Sequence, residues 1–494
     1  MQKREEKTGR VLFIIHDNYQ EDNYFPLGPG YLAAVLREAG AEVSVYCMDV
    51  FHYTNEELAQ YLSEREFDLI GIGFMAPRFH RTVVGVCKVV NDNKKNAWLV
   101  LGGNGPTPIS EYCIETTDAD VVVLGEAEET IIELLECKLH ASKAISELQG
   151  IAYRSGKNVI KNSRRKPTKI KTLPFPAWDL FPMDQYTTCL KVAGMKKGDK
   201  VFPLLSTRGC INKCSFCYRL EKGVRVRTPE HVILEMKELN EKYGVTYFEF
   251  LDEISIISKK QILKFLDLIK ENFNDIRFYM ECRVDVFDDD IARTLKEAGC
   301  AIINIGFEST DQNVLDLMGK NCTVEQNVRA AELCYKYGMG VGINIIWGMP
   351  GDNEKTLRDN VEFIKRYNQY DQIRTIRPVT PYPGSPLYYK AIEEGLLKGP
   401  EDFFNKFRNA DLYMVNFMKI PEKEICNLLY EVNKDLILDH FKNTNNDWNE
   451  ANHLIQQFYN LYFEGKTDFS GPRYETKIDH IRNQFDLPTK TYSG

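Results

Sequence analysis

The sequence predicts an α/β protein with an N-terminal doubly wound, Rossmann-like domain, a central partial (β/α)6 barrel of the TIM type, and a C-terminal helical region. Three observations carry this. Short, nearly continuous apolar runs alternate with amphipathic stretches over residues 10–138 and again over 201–394. A proline-rich break, LPFPAWDLFPMDQY at 173–186, separates the two series, and beyond 395 only helical periodicity remains. A length of 494 residues with 43% hydrophobic residues is enough for roughly three cores. The expected boundaries are 1–145 for the first domain, 146–195 for a hairpin and linker, 196–394 for the barrel and 395–494 for the helical region.

In the first domain RVLFIIHD leads to the helical LGPGYLAAVLREAG. AEVSVYCMDV, NEELAQYLSEREF, DLIGIGFM, a helix near 80–93, AWLVLGG, and ADVVVLGE running into AEETIIELLECKL follow. Strands apolar along their whole length belong to a parallel sheet covered by helices on both faces. Ligands of such sheets bind outside the carboxyl ends of the strands. There the sequence places Gly102, Gly103 and Gly105 in LGGNGPTP, and Gly125 with Glu126 in LGEAEET. These glycines also suit plain tight turns, and no G-x-G-x-x-G dinucleotide fingerprint follows the first strand.

GIAYRSGKNVIKN predicts a hairpin turning at Ser155-Gly156-Lys157. The basic stretch KNVIKNSRRKPTKIK (157–171) reads as a solvated hairpin and linker, and the aromatic residues among the prolines of 173–186 predict a linker packed on its surroundings. VFPLLS, VTYFEFLD, IRFYMECR, CAIINIGFES, GVGINIIWGMP and IRTIRPVTPYP then give six strands, two short of a closed barrel. An open barrel with its site at the carboxyl ends of the strands is expected. EKEICNLLYEVNKDLILDHF and EANHLIQQFYNLYF predict helices that cap its open end, with Phe403, Phe404, Tyr413 and Phe417 as lining or core residues.

Lysine and arginine number 63 against 71 acidic residues, so a net charge of -8 gives no basic excess for nucleic acid. No run approaches the ~20 apolar residues of a membrane span. A cytoplasmic protein without membrane contact is expected, and its thirteen cysteines are no disulfide framework. Ten of them are scattered and read as small buried hydrophobes.

The other three, Cys210, Cys214 and Cys217 in STRGCINKCSFCYRL, lie together just past the first barrel strand. A structural zinc site takes four ligands, and Cys189 is the nearest candidate for a fourth. Thiolates also ligate iron–sulfur clusters, and a four-iron cubane on three cysteines keeps one iron open for a ligand.

The spacing Cys-x3-Cys-x2-Cys, with Phe216 before the last cysteine and Tyr218 after it, resembles the radical S-adenosylmethionine superfamily. That resemblance implies a 4Fe-4S cluster whose open iron chelates S-adenosylmethionine and whose electron cleaves it to a 5′-deoxyadenosyl radical. It further implies S-adenosylmethionine contacts for Phe216 and Tyr218, for Asp252 and Glu253 in FLDE, for Arg283 in ECRVD, for Glu308 in IGFES and for Gly348 in IIWGMPGD. TPYPGSPLY (380–388) resembles a sixth-strand ending found in a subgroup that includes methylthiotransferases.

The order of domain, LPFPAWDLFP linker and barrel, over about residues 10–395, resembles the cobalamin-binding class of that superfamily. PLGPGYLAAVLREAG, LGGNGPTP and GEAEET stand where the class has similar segments, which implies cobalamin contacts for Gly102, Gly103, Gly105, Gly125 and Glu126. The chain departs from the class pattern in lacking Asp-x-His-x-x-Gly, since neither His16 nor His80 has that spacing. Met75, in the loop FMAPRFH (74–80), is then the expected neighbour of the lower face.

The resemblance implies an enzyme, foremost a cobalamin-dependent methyltransferase to an unactivated carbon, with a small-molecule or peptide substrate and a flavodoxin or ferredoxin as reductant. Rearrangement, ring formation or oxidative cyclisation is the first alternative. A methylthiotransferase with a second cluster on Cys47, Cys87 and Cys113, and a non-catalytic corrinoid or iron–sulfur sensor, are the others.

Overall fold

The computed structural model describes residues 8–19, 23–140, 144–408, 410–444 and 447–465. The chain divides into two units, the first ending at Leu190 and the second beginning at Lys191.

The first unit is built on β1 (Arg10–Ile15), β2 (Glu42–Cys47), β3 (Leu69–Gly73), β4 (Trp98–Gly102) and β5 (Val121–Val123), all parallel, in the order β2-β1-β3-β4-β5. The order reverses at β1, which creates the switch point where such sheets accept ligands. The hairpin β6 (Ile151–Ser155) and β7 (Asn158–Lys161) continues the sheet antiparallel from β5. Val11, Phe13, Leu69, Val100 and Val121 form the sheet's share of a core closed by Ala33, Leu36 and Leu134 from the flanking helices. One helix, Ser110–Thr117, has no counterpart in the apolar pattern. Its buried stripe is Ser110, Cys113, Ile114 and Thr117, and Thr117 hides its hydroxyl by donating to the Cys113 carbonyl at 2.6 Å.

The linker is docked on this unit, as its aromatic content predicts. Arg37 Nη1 donates to both carboxylate oxygens of Asp179 at 2.8 Å, and Phe25 meets the rings of Phe181 and Tyr186 at 4.7 and 5.6 Å.

The second unit contains β8 (Val201–Leu204), the ribbon strands β9 (Thr207–Arg208) and β10 (Arg225–Val226), β11 (Tyr247–Phe250), β12 (Arg277–Cys282), β13 (Cys300–Glu308), β14 (Gly340–Trp347) and β15 (Arg377–Pro378). Six of them form a parallel sheet in simple chain order from β8 to β15, omitting the ribbon. Each crossover advances in the same direction, so right-handed connections put the helices on one face and leave the other as the concave side of a half-barrel. Strand β12 shows the division in its sequence. Phe278, Met280 and Cys282 are buried, while Tyr279 and Glu281 alternate onto the other face and are half-buried.

The C-terminal helices Glu422–Asn443 and Trp448–Phe463 pack together through Ile437, Phe441 and Ala451. They were expected over the open end of the barrel, but the anchoring contact is at the sheet's edge. The fully buried Asn433 accepts from the Ile376 amide at 2.8 Å and donates to its carbonyl at 3.1 Å, standing in for a neighbouring strand beside β15. Phe403 and Phe404 are core residues, whereas Tyr413 and Phe417 reach the strand ends described below. Among the described residues no helix is long and apolar enough to cross a membrane.

Candidate active site

The three-cysteine loop starts where β8 ends. Strands β9 and β10 pair antiparallel, Thr207 with Val226 and Arg208 with Arg225, and a further bridge joins Cys210 to Lys222. Gly209 makes this possible. Its φ is +87°, and a Cβ there would stand 2.2 Å from the Gly223 carbonyl oxygen, so only glycine fits. The Cys217 amide donates to the Cys214 carbonyl at 3.2 Å, closing a backbone turn between these two cysteines, and Arg219 Nη1 donates to the Cys210 carbonyl at 3.3 Å.

Two distant segments clamp the loop. The Ser215 amide donates to the Met318 carbonyl at 2.8 Å, and the Ser215 carbonyl accepts from the Leu387 amide at 2.7 Å. Phe216 completes the clamp by packing with Val314, Met318, Met349, Val379 and Leu387, with Phe417 on the same cluster. This gives the TPYPGSPLY stretch a physical task, since Ser385 caps the helix Pro386–Glu393 whose first turn holds the cysteine loop. Tyr218, two residues past Phe216, is half-buried. Cys214 is buried and Cys217 exposed.

The strand ends bring further groups to this loop. Asp252 turns into the protein, with 4% of its surface exposed, and accepts from the amides of Ser206 and Thr207, both at 2.8 Å, and from the Ser206 hydroxyl. Burial pushes its carboxyl up to about 6 against the pull of those bonds. It is a tie between the ends of β8 and β11. The neighbouring Glu253 is exposed, and one of its carboxylate oxygens lies 3.7 Å from the position a Cβ on Gly209 would take.

Arg283, past β12, makes a two-pronged pair with Asp285 at 2.7 and 2.9 Å. Its remaining Nη1 is buried without a hydrogen-bond partner, and the Cys210 and Cys214 thiols are among its electrostatic neighbours. A buried guanidinium nitrogen left over beside thiols is a donor prepared for an anion. Glu308 ends β13 at the register shift and holds φ +63°, a conformation costly for a residue with a side chain. Gly348 follows β14, where its amide is engaged by Asp352 at 2.9 Å and Tyr413 lies alongside.

On the concave face a polar row crosses three strands, with Glu281 directly opposite Asn304 and Asn344 two residues beyond Gly342, the partner of Asn304. Tyr279 donates to Glu281, Asn304 donates to both oxygens of Glu281 at 2.8 Å, and Asn344 donates to Asn304 at 3.0 Å. Burial pushes Glu281 up to about 7. This row did not stand out in the sequence, where single polar residues inside apolar strands look like ordinary alternation.

In the first unit the predicted residues also stand at strand ends. Met75 follows β3 and is 63% exposed, while Gly102 ends β4 with nothing within 4 Å of where a Cβ would lie. The Gly105 amide donates to the Phe74 carbonyl at 3.0 Å, and Gly103 gives its carbonyl to Thr107 at 2.8 Å. Gly125 follows β5, and Glu126 is turned to the linker, accepting from the Thr168 amide at 2.7 Å. Gly102 facing open space beside the exposed Met75 thioether leaves room for a broad ligand at these adjacent strand ends, while Gly103 and Gly105 pack against Phe74. His80 is exposed and meets the Tyr112 hydroxyl at 2.8 Å, whereas His16 is buried against Thr82 at 3.1 Å.

Beside His16 lies a buried polar group that the motifs did not disclose. Asp49 is 2% exposed and accepts from the Tyr186 hydroxyl at 2.8 and 3.0 Å, and His52 pairs with Asp17 at 2.8 Å. Burial pushes the Asp49 carboxyl up to about 8. An unfolded aspartate titrates near 4, so between roughly pH 4 and 8 the native state holds a proton that the unfolded state has released, and stability falls as pH rises. Burial pushes His16 down to about 4, which acts in the opposite sense below pH 6.5. From pH 6.5 to 8 wild type is expected to lose up to about 1 kcal/mol per pH unit through Asp49, and Asp49→Asn to lose that slope. Thermal melts across this range check it.

A half-barrel carrying three thiols on a clamped loop at its first strand end defines a class of iron–sulfur enzyme that generates radicals, and comparison with known proteins agrees. The radical SAM superfamily matches over residues 204–364 and the B12 binding domain over 20–135. The chain is 30% identical over 381 residues to Uncharacterized methyltransferase PH0819 of Pyrococcus horikoshii, covering 75% of this chain and 79% of that one. It is 24% identical to the anaerobic magnesium-protoporphyrin IX monomethyl ester cyclase of Cereibacter sphaeroides, over 77% of this chain and 63% of the cyclase. In fold it resembles the radical S-adenosylmethionine methyltransferase TsrM from Kitasatospora setae, solved with cobalamin and a 4Fe-4S cluster, with TM-score 0.68, 17% identity and coverage of 92% and 100%. The chain belongs to the radical S-adenosylmethionine enzymes that carry a B12-binding domain. A 4Fe-4S cluster, S-adenosylmethionine and cobalamin are its cofactors.

Proposed function

We propose that this enzyme is a cobalamin-dependent methyltransferase that acts on an unactivated carbon of a small-molecule or peptide substrate and draws electrons from a flavodoxin or ferredoxin. The observation that carries the reading is the pairing, in one chain, of an intact three-thiol loop with a B12-binding domain, in a sequence 30% identical to an uncharacterized methyltransferase. When bound, the cluster and S-adenosylmethionine supply one-electron bond cleavage and hydrogen abstraction, and cobalamin supplies a transferable methyl group.

The protein's own residues bind and orient these groups. Cys210, Cys214 and Cys217 hold the cluster. Arg283 offers its spare Nη1 to a carboxylate, Glu253 faces an ammonium, and Glu308 accepts from ribose hydroxyls. Phe216 and Tyr218 fix the loop beside them, and Gly348 gives the adenine a close approach to backbone. Asp252 acts one step back, holding two strand ends. Met75, Gly102, Gly103, Gly105 and Gly125 form the cobalamin surface, with Glu126 bracing it from the linker side.

Anaerobic turnover with methyl-labelled S-adenosylmethionine tests the reading. Label in the product is expected. Deoxyadenosine release without label transfer would favour cyclisation, which the similarity to the cyclase keeps as the second reading. A second cluster is disfavoured by the placement of Cys47, Cys87 and Cys113, all buried, on a strand end and two different helices. One cluster predicts about four irons per chain.

A further inference from the structure

Lys320 lies in the turn between the helices Gln312–Met318 and Val324–Lys336, outside every motif considered above. Its ammonium pairs with Glu308 Oε1 at 2.8 Å, and the two side chains are only 12% and 10% exposed. The pairing crosses strand β13 over Gly306. A Cβ at Gly306 would stand 2.4 Å from Glu308 Oε1 and 2.7 Å from Lys320 Nζ, so the strand is cut away at the one residue where the pair must pass.

The same turn is bound to the cysteine loop. Met318 accepts from the Ser215 amide, and a Cβ at Gly319 would be 3.4 Å from the Lys213 carbonyl oxygen. Backbone on both sides of Cys214 is therefore in contact with the two residues preceding Lys320. Cys214 and Lys320 are electrostatic neighbours, each within reach of the other's field.

We propose that Lys320 is a positioning residue with two partners: it holds the Glu308 carboxylate in place with one oxygen left for the hydroxyls of the nucleoside, and it brings a positive charge to the Cys214 side of the cysteine loop that raises the cluster's reduction potential. A carboxylate has about four acceptor positions, so one ammonium leaves room for two hydroxyl donors. A fixed cation near a cluster favours the reduced, more negative state, because net charge and neighbouring donors set such potentials. The proposal rests on the reading that Glu308 meets S-adenosylmethionine, and it adds that nucleoside binding and electron entry are tuned by one side chain.

The test uses the full-length, cobalamin-loaded, anaerobically reconstituted protein and two measurements independent of turnover. One is the cluster midpoint potential without S-adenosylmethionine, from a redox titration followed by electron paramagnetic resonance. The other is the dissociation constant of labelled S-adenosylmethionine. Lys320→Met is expected to keep its iron, to shift the midpoint to more negative potential and to weaken binding about tenfold, while Lys320→Arg restores most of both.

Glu308→Gln removes the negative partner and leaves the lysine, so its midpoint is expected to move the opposite way while binding again weakens. This variant keeps the question answerable if Lys320→Met does not load iron. Unchanged midpoint and affinity in an iron-replete Lys320→Met protein, with a wild-type signal that S-adenosylmethionine perturbs, overturn the proposal alone. A wild-type signal indifferent to S-adenosylmethionine overturns the underlying reading with it.

Discussion

Cys214→Ala is expected to abolish the cluster and to lower S-adenosylmethionine cleavage at least about a thousandfold, while leaving the fold in place. Cys214 is buried, and its loop is held by backbone bonds from Ser215 and by Phe216, neither of which needs the sulfur. Losing one small, polarizable side chain there costs about 1–2 kcal/mol of packing. Losing one of three thiolates leaves an iron without its protein ligand. The contrast is with Cys334→Ala in the helix Val324–Lys336, a fully buried thiol whose electrostatic neighbours include Cys282 and Cys300. That variant should lose similar stability and keep both iron and cleavage. Iron content, the visible spectrum and deoxyadenosine yield, measured on both, check the pair.

The fold was legible because its strands are apolar along their length and its helices are not. Alternation in period and length is enough to separate two α/β series and to count six barrel strands. The helix Ser110–Thr117 escaped because Ile114 is the one aliphatic residue on a buried face otherwise made of serine, cysteine and threonine, too little to give an apolar stripe. The cysteine loop was legible because its spacing is a chemical requirement confined to eight positions.

The support of that loop was not. Met318 and Leu387 are more than a hundred residues from Ser215, and nothing local in either stretch announces the contact. Asp252 shows the related difficulty. A sequence places it at a strand end beside Glu253, but only coordinates show that one carboxylate turns inward to tie strands while the other stays outside. Lys320 has a signal only in combination, through a glycine two positions before a strand-end acid, and the distance from Gly306 to the lysine hides it.

Glu235→Ala is expected to be the most destabilising single change in the second unit, costing about 3–5 kcal/mol. Glu235 lies on the helix Pro229–Tyr243 with none of its side chain exposed, and Arg227, 5% exposed, pairs with it at 2.5 Å. Burial pushes the Glu235 carboxyl up and the guanidinium pulls it back down. Truncation strands a buried cation, and that penalty exceeds whatever the intact pair contributes. For a unit of this size the loss corresponds to a fall in Tm of about 10 °C.

The consequence reaches the site because Arg227 also donates to the Leu205 carbonyl at 2.7 Å, and its amide to the Ser206 carbonyl at 2.9 Å. Those residues lead directly into β9 and Cys210, so the iron content of Glu235→Ala should fall together with its Tm. The double variant Arg227→Met/Glu235→Leu separates the two effects. Removing both charges should recover much of the stability, since a buried ion pair seldom outperforms a well-packed apolar pair. It leaves the Leu205 carbonyl without its guanidinium donor, so cluster occupancy should stay below wild type while the melt returns toward it. Calorimetry and iron analysis on the three proteins check this; full recovery of both quantities would mean that the pair serves stability alone and does not hold the cysteine loop.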